Sequence, residues 1–241
     1  MAMISDRLRV RVARDAASPL LTYYDLRSGE RTELSAVTLA NWVAKTANLL
    51  DELGVAAGDT VRLDLAGHHP GHWVTFVWAA ACWEVGAAVA APPFAGEADL
   101  LVVGPDWAGY ETSIASEIVA CALRPLGQPF TGPLPTGVLD YSVEVRRQPD
   151  RHFAAPGLPS APAWIENERQ LTASELAEIG AADPPARRLV RPTLPWPTLA
   201  EGLLAALNSG GSTVVVVGDA DDRIARIAAS ERVDEIDPDR S

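Results

Sequence analysis

Short runs that are apolar almost without interruption, "DTVRLDL" (59–65), "LLVV" (100–103), "RRLV" (187–190) and "TVVVV" (213–217), are set between stretches of helical spacing. A strand with one wet face alternates apolar and polar residues, whereas a strand covered on both faces has no need to. Runs this short and this apolar, separated by helix-length segments, require helices on the faces of a sheet. The fold class is therefore α/β, as a three-layer α/β/α arrangement.

The intervening segments fill in the order. "LLTYYDL" and "ERTEL" flank Ser28-Gly29 and read as two strands joined by a turn. From Ser35, a natural N-cap, Leu39, Trp42, Val43, Ala47, Leu50 and Leu53 recur at helical spacing until Gly54 stops the run. Lys45 falls off that stripe and is expected in solvent. "HWVTFVWAAACWEVGA" is a helix apolar nearly all round, hence buried on several sides. Its Trp73, Trp78 and Trp83 lie five apart and serve packing rather than a cofactor box. "AAVAA" is a further strand-like run, and "TSIASEIVACALRPL" reads as another helix. Residues 127–162 are rich in Pro and Gly around one strand-like piece, "VLDYSVEVRR". "APAWIENERQLTASELAEIG" should run from a strand through a loop into a helix. "TLAEGLLAALNSGG" and "DRIARIAAS" are helices on either side of the "TVVVV" strand. Only Pro92 to Asp99 separates "AAVAA" from "LLVV", too short for the usual helical crossover of about a dozen residues, so the sheet order there stays open.

Net charge is -12 and the pI about 4.7, which excludes generic attraction to nucleic acid or to anionic lipid. No run of about 18 uncharged apolar residues occurs, and the N-terminus lacks the apolar stretch of a signal peptide. A cytoplasmic location is expected, with no membrane and no nucleic acid among the partners. Cys82 and Cys121 both fall in apolar, helix-like contexts and read as buried thiols of a reducing compartment.

Few residues are arranged for chemistry. His68, His69 and His72 cluster in "GHHPGHW", but no Cys or carboxylate stands at ligand spacing beside them. They are read as a strand-to-helix loop with no metal. "NSGGSTVVVVGD" carries glycines before its strand, whereas a phosphate loop follows one, so it is a turn. Ser113 and Ser116 near Glu117 have no Gly-x-Ser-x-Gly surroundings and form no nucleophile elbow. Lys45 is the sole lysine, so any chemistry that requires one must use it.

In order and spacing, "LSAVTLANWVAKTANLLDELGVAAGDTVRL" and "HWVTFVWAAACWEVGAAVAAP" (34–92) resemble the opening of the adenylate-forming superfamily of acyl-CoA synthetases, adenylation domains and luciferases. "RRLVRPTLPWPTLAEGLLAALNSGGSTVVVV" with "DRIARIAASERVDE" (187–236) is similar to its Leu-Pro segment, small-residue helix, Val-rich strand and following helix. Within that superfamily the chain looks like a small actinobacterial group of adenylate-former-like proteins. The resemblance implies one truncated AMP-binding-enzyme-like domain over 1–241, diverging at 127–162.

The departures from the family weigh on function. Where the family places a Ser/Thr/Gly-rich loop and Pro-Lys-Gly over the ATP phosphates, this chain has "SAPAWIENERQ". Glu166 and Glu168 repel a triphosphate, and no glycine lets the backbone approach. The family's later motifs and its adenylating lysine have no counterpart before Ser241. The expectation is therefore a non-catalytic relative, with no catalytic residues, no cofactor and no metal, that binds a small ligand or a protein partner, with a homodimer possible because a shortened sheet leaves edges to cover. Arg169, Trp196 and Thr198, in the replaced loop and the Leu-Pro segment, are the candidate ligand-binding residues. The alternatives are a reduced adenylate-forming ligase that holds ATP or an acyl adenylate with a partner chain's help, and an oligomeric structural protein.

Overall fold

The computed structural model describes residues 4–109, 115, 117–153 and 157–236. The chain opens with α1 (Ile4–Arg14), β1 (Pro19–Asp25) and β2 (Arg31–Ser35), and continues through α2 (Ala36–Glu52), β3 (Thr60–Leu63), α3 (Asp64–His68) and α4 (Trp73–Val85). Next come β4 (Ala88–Ala90), β5 (Leu100–Val103), β6 (Glu117–Ala120), β7 (Val138–Asp140), α5 (Tyr141–Glu144), β8 (Pro162–Glu166), β9 (Arg169–Thr172) and α6 (Ala173–Glu178). The last part holds β10 (Arg187–Val190), α7 (Pro195–Leu199), a π-helical turn (Ala200–Leu204), α8 (Ala205–Ser209), β11 (Ser212–Val217), α9 (Asp221–Ser230) and β12 (Glu235–Ile236).

The expected α/β layering is present, and it is built on two sheets. One has the order β12-β10-β11-β1-β2, the other β7-β6-β5-β3-β4-β8-β9, and both are parallel except for the β1–β2 and β8–β9 pairs. A continuous core joins Leu21 and Val215 of the first sheet to Val61, Val102 and Trp164 of the second through residues of α1, α2, α4 and α6. The other face of the first sheet packs Val214 and Val216 on Ile224 of α9. On the second sheet, Leu101, Val103 and Ile118 lie against Trp107, Phe130 and Leu134. Successive residues of a strand point to opposite faces, so "TVVVV" and "LLVV" are uninterrupted because both of their faces are covered.

Helix α2 follows its sequence pattern. The Ser35 hydroxyl accepts from the Thr38 N–H at 3.2 Å, Leu39, Val43, Ala47 and Leu50 are buried, and Trp42 and Leu53 pack half-buried against them. Helix α4 is buried at every position from Trp73 to Trp83 and ends at Gly86, whose φ of 82° is the left-handed conformation that a side chain resists.

Several elements differ from the sequence reading. The stretch read as a helix over "TSIASEIVACALRPL" contains β6 instead, so Cys121 follows a strand; Ser113 and Ser116 lie outside the described residues. A short apolar run such as "EIVA" satisfies either period, and the vacant place beside β5 decides for strand. "VLDYSVEVRR" is a strand for only three residues before the Asp140 carboxylate caps α5 by accepting from the Ser142 N–H at 2.9 Å. "DTVRLDL" ends as a strand at Leu63 and turns helical at Asp64. The open sheet order resolves as β5-β3-β4, so residues 91–99 cross over β3 without a helix. Nine extended residues reach about 30 Å, enough to pass strands only three or four residues long.

Lys45 is not free in solvent but partly buried and paired. Its ammonium pairs with Asp150 at 2.6 Å and donates to the Gln148 carbonyl. One turn on, the Asn48 amide donates to the carbonyls of Pro149 and Arg151 at 3.1 and 2.9 Å. His152 lies between Asp51 at 3.0 Å and Glu84 at 3.4 Å. The polar face of α2 thus holds residues 148–152 as a strap across it.

Candidate functional site

The segment "APAWIENERQLTASELAEIG" does not form an open loop. Glu166 pairs with Arg169 across a two-residue turn, and β9 returns antiparallel to β8, so that the second sheet ends in a hairpin. Asn167 takes the turn at φ 52°, a left-handed conformation that Asn tolerates better than most residues. Thr172 then caps α6 in a reciprocal box: its hydroxyl accepts from the Glu175 N–H, and the Glu175 carboxylate accepts from the Thr172 N–H at 2.7 Å.

Beside the hairpin runs the segment between β10 and α7. The Arg169 guanidinium lies 5.6 Å from the Trp196 ring centre, over its face, and the Trp164 ring packs 5.4 Å from Trp196. Two of the three candidate residues are thereby brought together. Thr198 is not: it is buried, and its hydroxyl accepts from the Thr193 N–H at 3.0 Å, steadying the start of α7. Burial raises the Glu166 carboxyl above its usual range, opposed by the Trp164 indole, the Arg169 charge and the Trp196 backbone.

This arrangement carries two carboxylates and one guanidinium already laid on an indole. Its turn, Asn167-Glu168, holds no glycine where phosphate oxygens could come close to the backbone. The sole lysine is engaged with Asp150 on the strap and is no part of the hairpin.

The histidines sit as a strand-to-helix connection. His68 ends α3, and His69 follows it with its ring against Gly104. His72 caps α4, its Nδ1 accepting from the Val74 N–H at 3.2 Å, and its ring packs on Tyr23 with centroids 4.9 Å apart. Among the described residues no group of three or more His, Cys, Asp or Glu is placed to hold a metal. Burial and the nearby His68 lower the His69 pKa, and Asp106 opposes them. Both cysteines are free and buried, and burial pushes both thiols far up, so neither is a ready nucleophile. Among the described residues no helix is long and apolar enough to cross a membrane.

Comparison with known proteins places this geometry in context. No protein-family model matches the chain. An acyl-CoA synthetase from Brucella canis superposes with a TM-score of 0.77 at 17% identity, over 98% of this chain and 47% of that one. A mutant form of coronafacic acid ligase from Pectobacterium brasiliense gives 0.71 at 11% identity, over 98% and 50%. The chain thus has the fold of the N-terminal part of these synthetases and spans about half their length. A "TIGR03089 family protein" of Mycobacterium tuberculosis is 36% identical over 236 residues, 91% of this chain and 91% of that protein. Identity of that size along nearly the whole of both chains fixes the relationship: this protein belongs to the TIGR03089 family.

Proposed function

We propose that this protein is a non-catalytic relative of the adenylate-forming enzymes, a single cytoplasmic domain that acts as a binding or scaffold protein and pairs with itself. One observation carries the reading: the place of the phosphate cradle is occupied by a closed hairpin turn bearing Glu166 and Glu168. Adenylation develops negative charge on the transferred phosphoryl group and needs donors aimed at it. The hairpin supplies carboxylates there, and its one cation, Arg169, is already placed on Trp196. Removal of a single such donor commonly slows a reaction about a hundred- to a thousandfold, so a site without them has no measurable turnover. What remains for binding is the partly exposed Trp196 with Arg169 over its ring, backed by the buried Trp164, and it suits a planar partner group. The test is acid-dependent exchange of pyrophosphate into ATP by the purified chain, over a panel of carboxylic acids. No exchange above background is expected. Exchange that requires an acid, and that disappears in Arg169→Ala, makes the protein a reduced ligase instead.

A further inference from the structure

At the opposite end of the second sheet from the hairpin turn lies a cavity of about 150 Å3. It sits at the N-terminal ends of the strands. Ala57 and Gly58 precede β3, Gly86 and Ala87 precede β4, and Ala161 precedes β8. Ile4 of α1, Trp83 of α4 and Leu176 of α6 close it from the helical side.

Its lining side chains are apolar. Among the described residues around it none carries a charge, and the one polar side-chain atom, the Trp83 indole N–H, already donates to the Ala163 carbonyl at 2.8 Å. Trp83 therefore presents only ring surface. Protein interiors close to crystal-like density, and an unfilled volume of this size weakens a fold unless something occupies it. Alanines and glycines line it where a leucine would fill it. Water finds few partners against such a wall, and an apolar volume of this size admits a benzene-sized molecule. Leu158 stands at the rim with 71% of its surface exposed, and the volume opens outward beside it.

We propose that this cavity is a binding site for a small uncharged hydrocarbon group, of about the bulk of one aromatic ring or a chain of four to six carbons. The site lies at the other end of β8 from the hairpin turn and does not depend on whether nucleotide binds at that turn. A carboxylate or phosphate is disfavoured, because no side chain among the described lining residues carries a charge to pair with it and burial of an unpaired charge is costly.

The test is titration of the full chain with fluorobenzene, read by fluorine NMR linewidth, with 1-pentanol and benzoate as competitors. Saturable binding is expected, displaced by pentanol and not by benzoate at tenfold higher concentration. Ala161→Leu, which places a side chain in the volume, should weaken binding at least tenfold while the melting temperature stays level or rises. If that variant does not fold, Ala57→Leu at the exposed rim gives the same reading. Absence of saturation, unchanged binding in the folded filling variant, or displacement by benzoate as readily as by pentanol overturns the proposal.

Discussion

Burial lowers the pKa of His72 to about 3, the His69 charge adds to the effect, and Asp25 opposes it. The folded chain therefore keeps this ring neutral at pH values where an unfolded chain, with a histidine pKa near 6.5, takes up a proton. Stability from this group is complete above about pH 6.5 and is lost as pH falls toward about 3, at up to about 1.4 kcal/mol per unit. Asparagine keeps a capping acceptor and cannot titrate. We predict that urea midpoints of His72→Asn fall less steeply between pH 6.5 and 4 than those of the wild type; parallel curves would show that the ring charges in the folded state. Lys45 shows how far single residues were legible in the sequence. Its place off the apolar stripe was readable, but its partners, Gln148 and Asp150, come from a distant segment that no local pattern ties to α2.

At the scale of elements, those whose own sequence over-determines them were readable. Helix α2 has an N-cap, a stripe and a terminating glycine, and α4 has eleven consecutive buried positions. Where one short run serves two periods, the neighbours decide, as β6 shows by taking the open side of β5. The hairpin was missed for a related reason: Asn167-Glu168 is a weaker turn signal than Asn-Gly, and "RQLT" alternates too briefly to announce a strand. Its exit into α6 rests on the Thr172 and Glu175 box. Thr172→Ala should lower stability by about 1 kcal/mol with an unchanged dependence on urea, measured by chemical denaturation. A loss indistinguishable from zero would mean that packing of Leu176 alone holds the helix. The Arg169–Trp196 contact had a partial trace in the sequence, since both lie in segments where the chain departs from or follows the adenylate-forming pattern; that the two segments adjoin is a fact of the folded sheets.

For the whole molecule, α/β layering followed from the apolar runs, while the division into two sheets did not, because strands of either sheet carry the same pattern. The cavity was likewise invisible, being lined by residues from α1, α4, α6 and three strand approaches far apart in the chain. Sheet edges at β2, β7, β9 and β12, together with exposed Phe153 and Leu158, leave surface for a second copy. Light scattering is expected to give twice the 25.6 kDa chain mass, and a monomer mass across a wide concentration range would refute the pairing. The central claim is that the closed, acidic hairpin cannot hold a triphosphate, and a melting curve in millimolar MgATP addresses it most directly. A nucleotide at a hundred times its dissociation constant adds about 2.7 kcal/mol, or roughly 5 to 11 °C for a domain of this size. We predict a shift below that range in the wild type; a saturable shift within it, abolished by Arg169→Ala, would contradict the account.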